Sequence, residues 1–375
     1  MSLLDRQRKF FSRDTKYFEM PDSLRLESGI TISNVKIAYR TWGELNAERS
    51  NGVLVCHALT GSADADEWWK GLIGSGCALD PTHDFIVCSN LLGGCYGTTG
   101  PLSSIPAGSG KYGGEFPAVT VRDMVRAQKN LLDHLGVREL QLVIGPSLGG
   151  MQALEWALMY PEQVRAIAPV GVSGKHSAWC IGTTEAQRQA IYADPNWADG
   201  KYTDDAPPEK GLATARMMAM LSYRSWESLD ERFGRTSDSD GTFQIASYLR
   251  YQGEKLHGRF DAVSYVRLTE AMNSHDISRG RGDYESVLAA MRVPALIVSV
   301  SSDSLYPPRE QEELVRLMPR ARYRTLESPH GHDGFLIEME ALGRIVRSFR
   351  SDVRSGERPL PRDRLALHEL YAQSP

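Results

Sequence analysis

The chain has 375 residues, with 43 Lys and Arg against 47 Asp and Glu, a formal net charge of −4 and a sequence pI near 6.2. That balance offers no basic field for nucleic acid or anionic lipid, and no stretch approaches the ~18 consecutive apolar residues of a membrane-spanning helix. The length admits one large domain or a core carrying an insertion. The opening "MSLLDRQRKFFSRDTKYF" puts charges where a signal peptide needs its apolar region, so a soluble cytoplasmic protein is expected. Cys56, Cys77, Cys88, Cys95 and Cys180 form no C-x-x-C pair and read as reduced thiols, neither disulfides nor metal ligands.

Strand-like runs open the chain at 35–42 ("VKIAYRTW"), 52–59 ("GVLVCHAL") and 84–92 ("DFIVCSNLL"). Residues 120–136, "TVRDMVRAQKNLLDHLG", space Val121, Met124, Val125, Leu131, Leu132 and Leu135 as a helix closed by Gly136. "LQLVIG" and "VRAIAPVGV" follow as strands. Strands alternating with helices, apolar on both faces, predict an α/β fold with a mostly parallel sheet covered on both sides. From about 174 to 290 the pattern turns helical, as in "GLATARMMAMLSY" and "FDAVSYVRLTEAM". This predicts a helical cap inserted into a core of 1–173 and 291–350, lying over the carboxyl edge of the sheet. The alternating grammar returns in "PALIVSVSSD" (294–303), "REQEELVRLM", "ARYRTLE" and "FLIEMEALGRIVRSF". Residues 351–375 are polar and contain prolines, as in a surface extension.

"LVIGPSLGG" places Ser147 on a strand-to-helix turn and reads G-x-S-x-G from Gly145 to Gly149, the nucleophile-elbow pattern. A plain glycine-rich turn reads the same way, so partners must decide. In an α/β-hydrolase arrangement an acid and then a histidine follow the serine. Asp303 ends an apolar run that would deliver it to the same sheet edge, although an Asp after a strand is also a common turn residue. His332 follows the strand-like "YRTLE" and would move the serine proton, with Asp303 fixing its tautomer. Asp333 is the rival acid, but a residue adjacent to the histidine is poorly placed to aim at its ring. His330 and His57 are the rival bases. Oxyanion donors are expected at the backbone N–H of Leu148, beginning the next helix, and of Leu59 in "VCHALTGSA". "NLLGGCYGTTGP" lacks the G-K-[ST] ending of a phosphate loop and reads as a loop at the mouth of the site. No metal site is expected.

Together with "AYRTWGELNAERSNGVLVCHALTG", "FPAVTVRDMVRAQ", "GPSLGGMQALEWA", "LATARMMAMLSYRS", "FQIASYLRYQGEKLHGRFD" and "GHDGFL", these residues make a chain that closely resembles the homoserine O-acyltransferases of the α/β-hydrolase superfamily. The resemblance runs to about residue 350. It implies an enzyme of the methionine pathway that acylates L-homoserine from an acyl-CoA by a ping-pong route, with Ser147, Asp303 and His332 as triad and no cofactor beyond the acyl-CoA substrate. It implies further that Arg216 and Asp333 bind the acceptor, whose carboxylate an Arg can hold and whose ammonium an Asp can accept. One departure is Pro146, where relatives usually carry Gly. Succinyl-using relatives tend to have an Arg two positions after the catalytic Asp; Leu305 stands there, which implies acetyl-CoA as donor. Succinyl-CoA, L-serine as acceptor, and an esterase or thioesterase with the same triad remain alternatives. Met217, Met218, Met220, Leu221 and Tyr223 give the cap more large apolar residues than a thin lid needs, and a homodimer is expected through it.

Overall fold

The structure, a computed structural model, describes residues 12–106, 108 and 110–355. An edge strand β1 (Lys16–Glu19) and a small hairpin, β2 (Leu24–Arg25) with β3 (Thr31–Ile32), precede the expected strands. These are β4 (Lys36–Trp42), β5 (Gly52–Val55), β6 (Phe85–Ser89), β7 (Leu140–Pro146), β8 (Ile167–Val170), β9 (Ala295–Val300) and β10 (Ala321–Leu326). One eight-stranded sheet runs in the order β1-β4-β6-β5-β7-β8-β9-β10. β4 is antiparallel to both its neighbours, and each pairing from β6 through β10 is parallel.

Residues alternate between the two faces of such a sheet, so each strand feeds two cores. Leu54, Val143 and Ile297 enter one core with Met124, Leu131, Met151 and Leu154 from the helices Val121–His134 and Leu148–Met159. Val53, Val55, Leu142, Ile144 and Val298 enter the other, against Leu342, Val346 and Phe349 of the helix Met339–Ser355. Thr120 caps the first of these helices in a reciprocal capping box with Asp123.

The insertion leaves the sheet after β8 and re-enters at β9, its direct neighbour. Between them lie the helices Ala178–Tyr192, Glu209–Tyr223, Trp226–Phe233, Gln244–His257, Ala262–Asn273 and Tyr284–Ala290. Side-chain N-caps start four of them, at Ser177, Ser225, Asp261 and Asp283. The apolar face expected for pairing needs correction. Met220 is buried in the interior and Tyr223 lines an internal cavity, which leaves Met218 and Leu221 exposed, together with Trp226.

The run "FLIEMEALGRIVRSF" is interrupted at Glu338, which separates a short helix, Gly334–Ile337, from Met339–Ser355. That last helix continues past residue 350, where the extension was expected to begin; residues 356–375 lie outside the described residues. No helix among the described residues is long and apolar enough to cross a membrane.

Candidate active site

Ser147, Asp303, His332 and Leu59 each follow the carboxyl end of a parallel strand, β7, β9, β10 and β5 respectively, and so gather at one sheet edge. Ser147 sits at φ 54, ψ −121, between β7 and the helix that starts at Leu148. The close approach that makes this elbow needs Gly145 and Gly149: a Cβ there would lie 2.4 Å and 2.0 Å from the Cys56 carbonyl oxygen. The Ser147 side chain makes no capping bond to the helix. Pro146 fits because its missing N–H falls beyond the last β5–β7 pair, Val55 with Ile144, while Ser147 N–H serves β8 through the Val170 carbonyl at 2.9 Å.

Asp303 and His332 meet directly. Nδ1 of His332 lies 2.6 Å from Oδ2 of Asp303, with both side chains buried. The other carboxylate oxygen accepts the N–H groups of Leu305 at 2.8 Å and Tyr306 at 2.9 Å. The carboxylate is thereby fixed by its own following turn before it touches the ring. With Nδ1 facing a carboxylate, the ring carries its proton there and leaves Nε2 as the acceptor. That Nε2 is buried with no protein hydrogen-bond partner among the described residues. Tyr306 and Tyr223 pack on the His332 ring, with centroids 5.2 Å and 5.9 Å away, and both also line the cavity into which Ser147 opens.

Leu59 and Leu305 line that cavity too. Leu148, as the first residue of its helix, has an N–H with no acceptor inside the helix. Leu305 is buried, and its carbonyl accepts the Cys180 thiol at 3.2 Å. Burial pushes that thiol up to about 12 and pulls the neighbouring His176 imidazole down to about 3, so both are neutral near pH 7. No Lys or Arg stands among the described residues that line the cavity. The loop 90–101 borders a second, smaller cavity that shares Leu59 with the first and is lined by Leu91, Gly94, Cys95 and Tyr96.

Arg216, half-buried on the helix Glu209–Tyr223, holds its guanidinium 5.4 Å over the Tyr223 ring. Asp333 ends the short turn that carries His332, and Arg224 approaches it with Nε 3.2 Å from Oδ2. Burial raises the Asp333 carboxyl above its usual range, against the opposing pull of Arg224, Arg216 and His332. The pairing with Arg224 went unread in the sequence, where nothing about "LSYRSW" ties position 224 to a residue 109 places on. Of the rival bases, His330 places Nδ1 3.2 Å from Ser228 Oγ. His57 keeps Nδ1 on its neighbour's carbonyl at 2.8 Å, and burial draws it down to about 4. Among the described residues no group of three or more His, Cys, Asp and Glu side chains is arranged to hold a metal ion.

The family model of the alpha/beta hydrolase fold matches residues 51–338. A homoserine O-acetyltransferase of Nostoc punctiforme is 59% identical over 343 residues, which cover 90% of this chain and 96% of that protein. Among solved structures, the homoserine O-acetyltransferase from Bacillus anthracis has a TM-score of 0.84 at 28% identity, covering 90% of this chain and 97% of that one. Esterase E22 has a TM-score of 0.83 at 28% identity, covering 90% of this chain and 99% of that one.

Proposed function

Because the chain belongs to the homoserine O-acetyltransferases of the alpha/beta hydrolase fold, we propose that it moves an acetyl group from acetyl-CoA to the hydroxyl of L-homoserine through an acyl-serine at Ser147. The observation that carries this reading is the buried Asp303–His332 pair, whose unpartnered Nε2 shares its aromatic neighbours with the Ser147 cavity. In the first half-reaction His332 takes the Ser147 proton as the oxygen attacks the thioester carbon. The N–H groups of Leu59 and Leu148 hold the oxyanion, and the departing thiolate receives the proton. In the second, His332 takes the proton of the homoserine hydroxyl, the alkoxide attacks the acyl-serine, and the proton returns to Ser147.

Arg216 holds the acceptor's carboxylate and Asp333 its ammonium. Asp333 is already paired with Arg224, so the ammonium shares this carboxylate and does not meet a free anion. Acetyl is the donor group because no Lys or Arg stands among the described residues lining the cavity and His176 there is neutral, so a succinyl carboxylate would be buried without a cation, which costs several kcal/mol. The reaction needs no cofactor or metal and fits a cytoplasmic step of methionine biosynthesis. The exposed Met218, Leu221 and Trp226 support a homodimer through the cap, and the acidic balance leaves nucleic acid and membrane without a surface.

Mass spectrometry of the products from L-homoserine with acetyl-CoA and succinyl-CoA in competition tests the reading. O-acetylhomoserine should dominate, and Ser147→Ala should form neither product nor acyl adduct. The similarity to esterase E22 favours hydrolysis as the second reading, and it is the correct one if acetate forms at the same rate with and without homoserine.

A further inference from the structure

The loop that carries His332 is held from two sides. On the core side Ser301 and Ser302, just after β9, take its beginning and middle. Ser328 N–H donates to Ser301 Oγ at 3.0 Å, Ser302 Oγ donates to the Ser328 carbonyl at 2.6 Å, and Gly331 N–H donates to Ser302 Oγ at 2.8 Å. On the lid side the loop meets the segment Tyr223–Ser228, where one cap helix ends and the next begins. Ser225 Oγ donates to the Pro329 carbonyl. Ser228 Oγ lies 3.2 Å from Nδ1 of His330. The Tyr223 ring packs on His332, and Arg224 pairs with Asp333. Gly331, at φ +68, touches the turn's own backbone: a Cβ there would be 2.6 Å from Ser225 N and 2.7 Å from the carbonyl carbon of Arg224. No side chain other than hydrogen allows that contact.

We infer that this lid turn is a positioning element for the base, and that Ser225 is its central residue, acting through His332 without touching substrate. The inference rests on the reading of His332 as the base. The hydroxyl of Ser225, 3% exposed, has two tasks. It accepts Ser228 N–H at 3.0 Å as the N-cap of the helix Trp226–Phe233, and it donates to the loop. The turn follows directly on the helix that carries Arg216, so the group proposed to hold the acceptor and the support of the base belong to one piece of chain. Lifting the lid away from the core would release Pro329, His330 and Asp333 together. In that state His332 would keep Asp303 and the core-side serines but lose the lid's contacts, so an acyl-serine exposed to water would meet a less precisely aligned base and hydrolyse more slowly.

Ser225→Gly and Ser225→Thr separate the two tasks, because Gly keeps nearly all of the capping preference and lacks the donor, while Thr keeps both. Acylation by p-nitrophenyl acetate needs neither the acceptor nor CoA contacts, and it is followed as kcat and KM against pH, with Tm as the check on folding. Ser225→Gly should lower kcat on the order of 10- to 100-fold, with KM almost unchanged and the acid limb of the profile displaced, as expected of a misplaced base. Ser225→Thr should recover the rate to within about threefold. Ser228→Ala, which leaves the capping hydroxyl in place, should lower kcat in the same way by a smaller factor and serves if Ser225→Gly does not fold. Unchanged kcat in both Ser225→Gly and Ser228→Ala, or a Ser225→Thr rate as low as that of the Gly variant, would overturn the inference. His332→Ala run alongside keeps the two failures apart: full acylation in that variant would reject His332 as the base.

Discussion

Asp303→Asn probes the proposed role of the Asp303–His332 pair most cleanly, because the surrounding turn dictates how the new amide must lie. Oδ1 of Asp303 accepts two N–H groups, from Leu305 and Tyr306, at 2.8 Å and 2.9 Å. An asparagine keeps those bonds only with its oxygen in that place, which turns its NH2 toward Nδ1 of His332, where Oδ2 stood at 2.6 Å. A donor facing Nδ1 forces the imidazole proton onto Nε2, and a protonated Nε2 cannot take the serine proton. The variant also lacks the negative charge that stabilises the imidazolium formed during the reaction. In the worked serine-triad case this change costs on the order of 10⁴ in kcat, or ~5.5 kcal/mol in the barrier. Stability should change little, since the turn keeps its bonds. Asp303→Ala, by contrast, leaves two buried N–H groups without acceptors, at roughly 1–3 kcal/mol each. The assay is the rate of acyl-enzyme formation measured by stopped flow, with urea unfolding in parallel. A loss of activity below about tenfold at unchanged stability would show that Asp303 does not set the tautomer.

Arg216→Ala should raise KM for homoserine far more than it slows acylation by the donor; an equal loss in both half-reactions would make Arg216 part of the general scaffold. Leu305→Arg adds a cation to a cavity without one and should move the ratio of kcat/KM values toward succinyl-CoA by about tenfold or more, and an unchanged ratio would place the acyl end elsewhere. The third expectation concerns pH. Burial holds His57 and His275 down to about 4 and His176 to about 3, all below the ~6.5 of an exposed imidazole. The unfolded chain therefore takes up protons that the folded chain does not. Their neutral burial leaves stability unaffected above pH ~6.5 and erodes it as pH falls toward 4, by up to about 4 kcal/mol per pH unit. Urea midpoints measured from pH 7 to 5 should fall accordingly, and a flat profile would mean that the three rings are solvated.

The strands that build the sheet were legible because each is an unbroken apolar run, as a strand buried on both faces must be. β1 was not, since only Phe18 of "KYFE" turns inward, stacking at 4.2 Å on His134, and the other three residues face solvent. The break at Glu338 was also hidden, because the apolar spacing on its two sides is compatible with one helix. The convergence of Ser147, Asp303 and His332 on one sheet edge could be read from the chain because each comes just after a strand and the fold fixes their order. Arg224, Ser225 and Ser228 could not be read. Their partners lie about a hundred positions away, across an interface between the cap and the core, and neither segment carries a periodicity that refers to the other.

The backbone of Ser147 has a consequence for how long the protein lasts. An L-residue held at φ 54, ψ −121 is in a region favourable only for glycine, and such residues carry roughly 1–3 kcal/mol of strain. The strain is what lifts the hydroxyl off the sheet edge, so it cannot be relaxed while the enzyme still works. Ser147→Gly would relieve it and abolish acyl transfer in the same step, giving an inert protein with a higher Tm and slower proteolysis than the active one. Ser147→Ala, equally inert but still an L-residue at that φ and ψ, would keep the strain, so the gain in Tm separates backbone relief from loss of the hydroxyl.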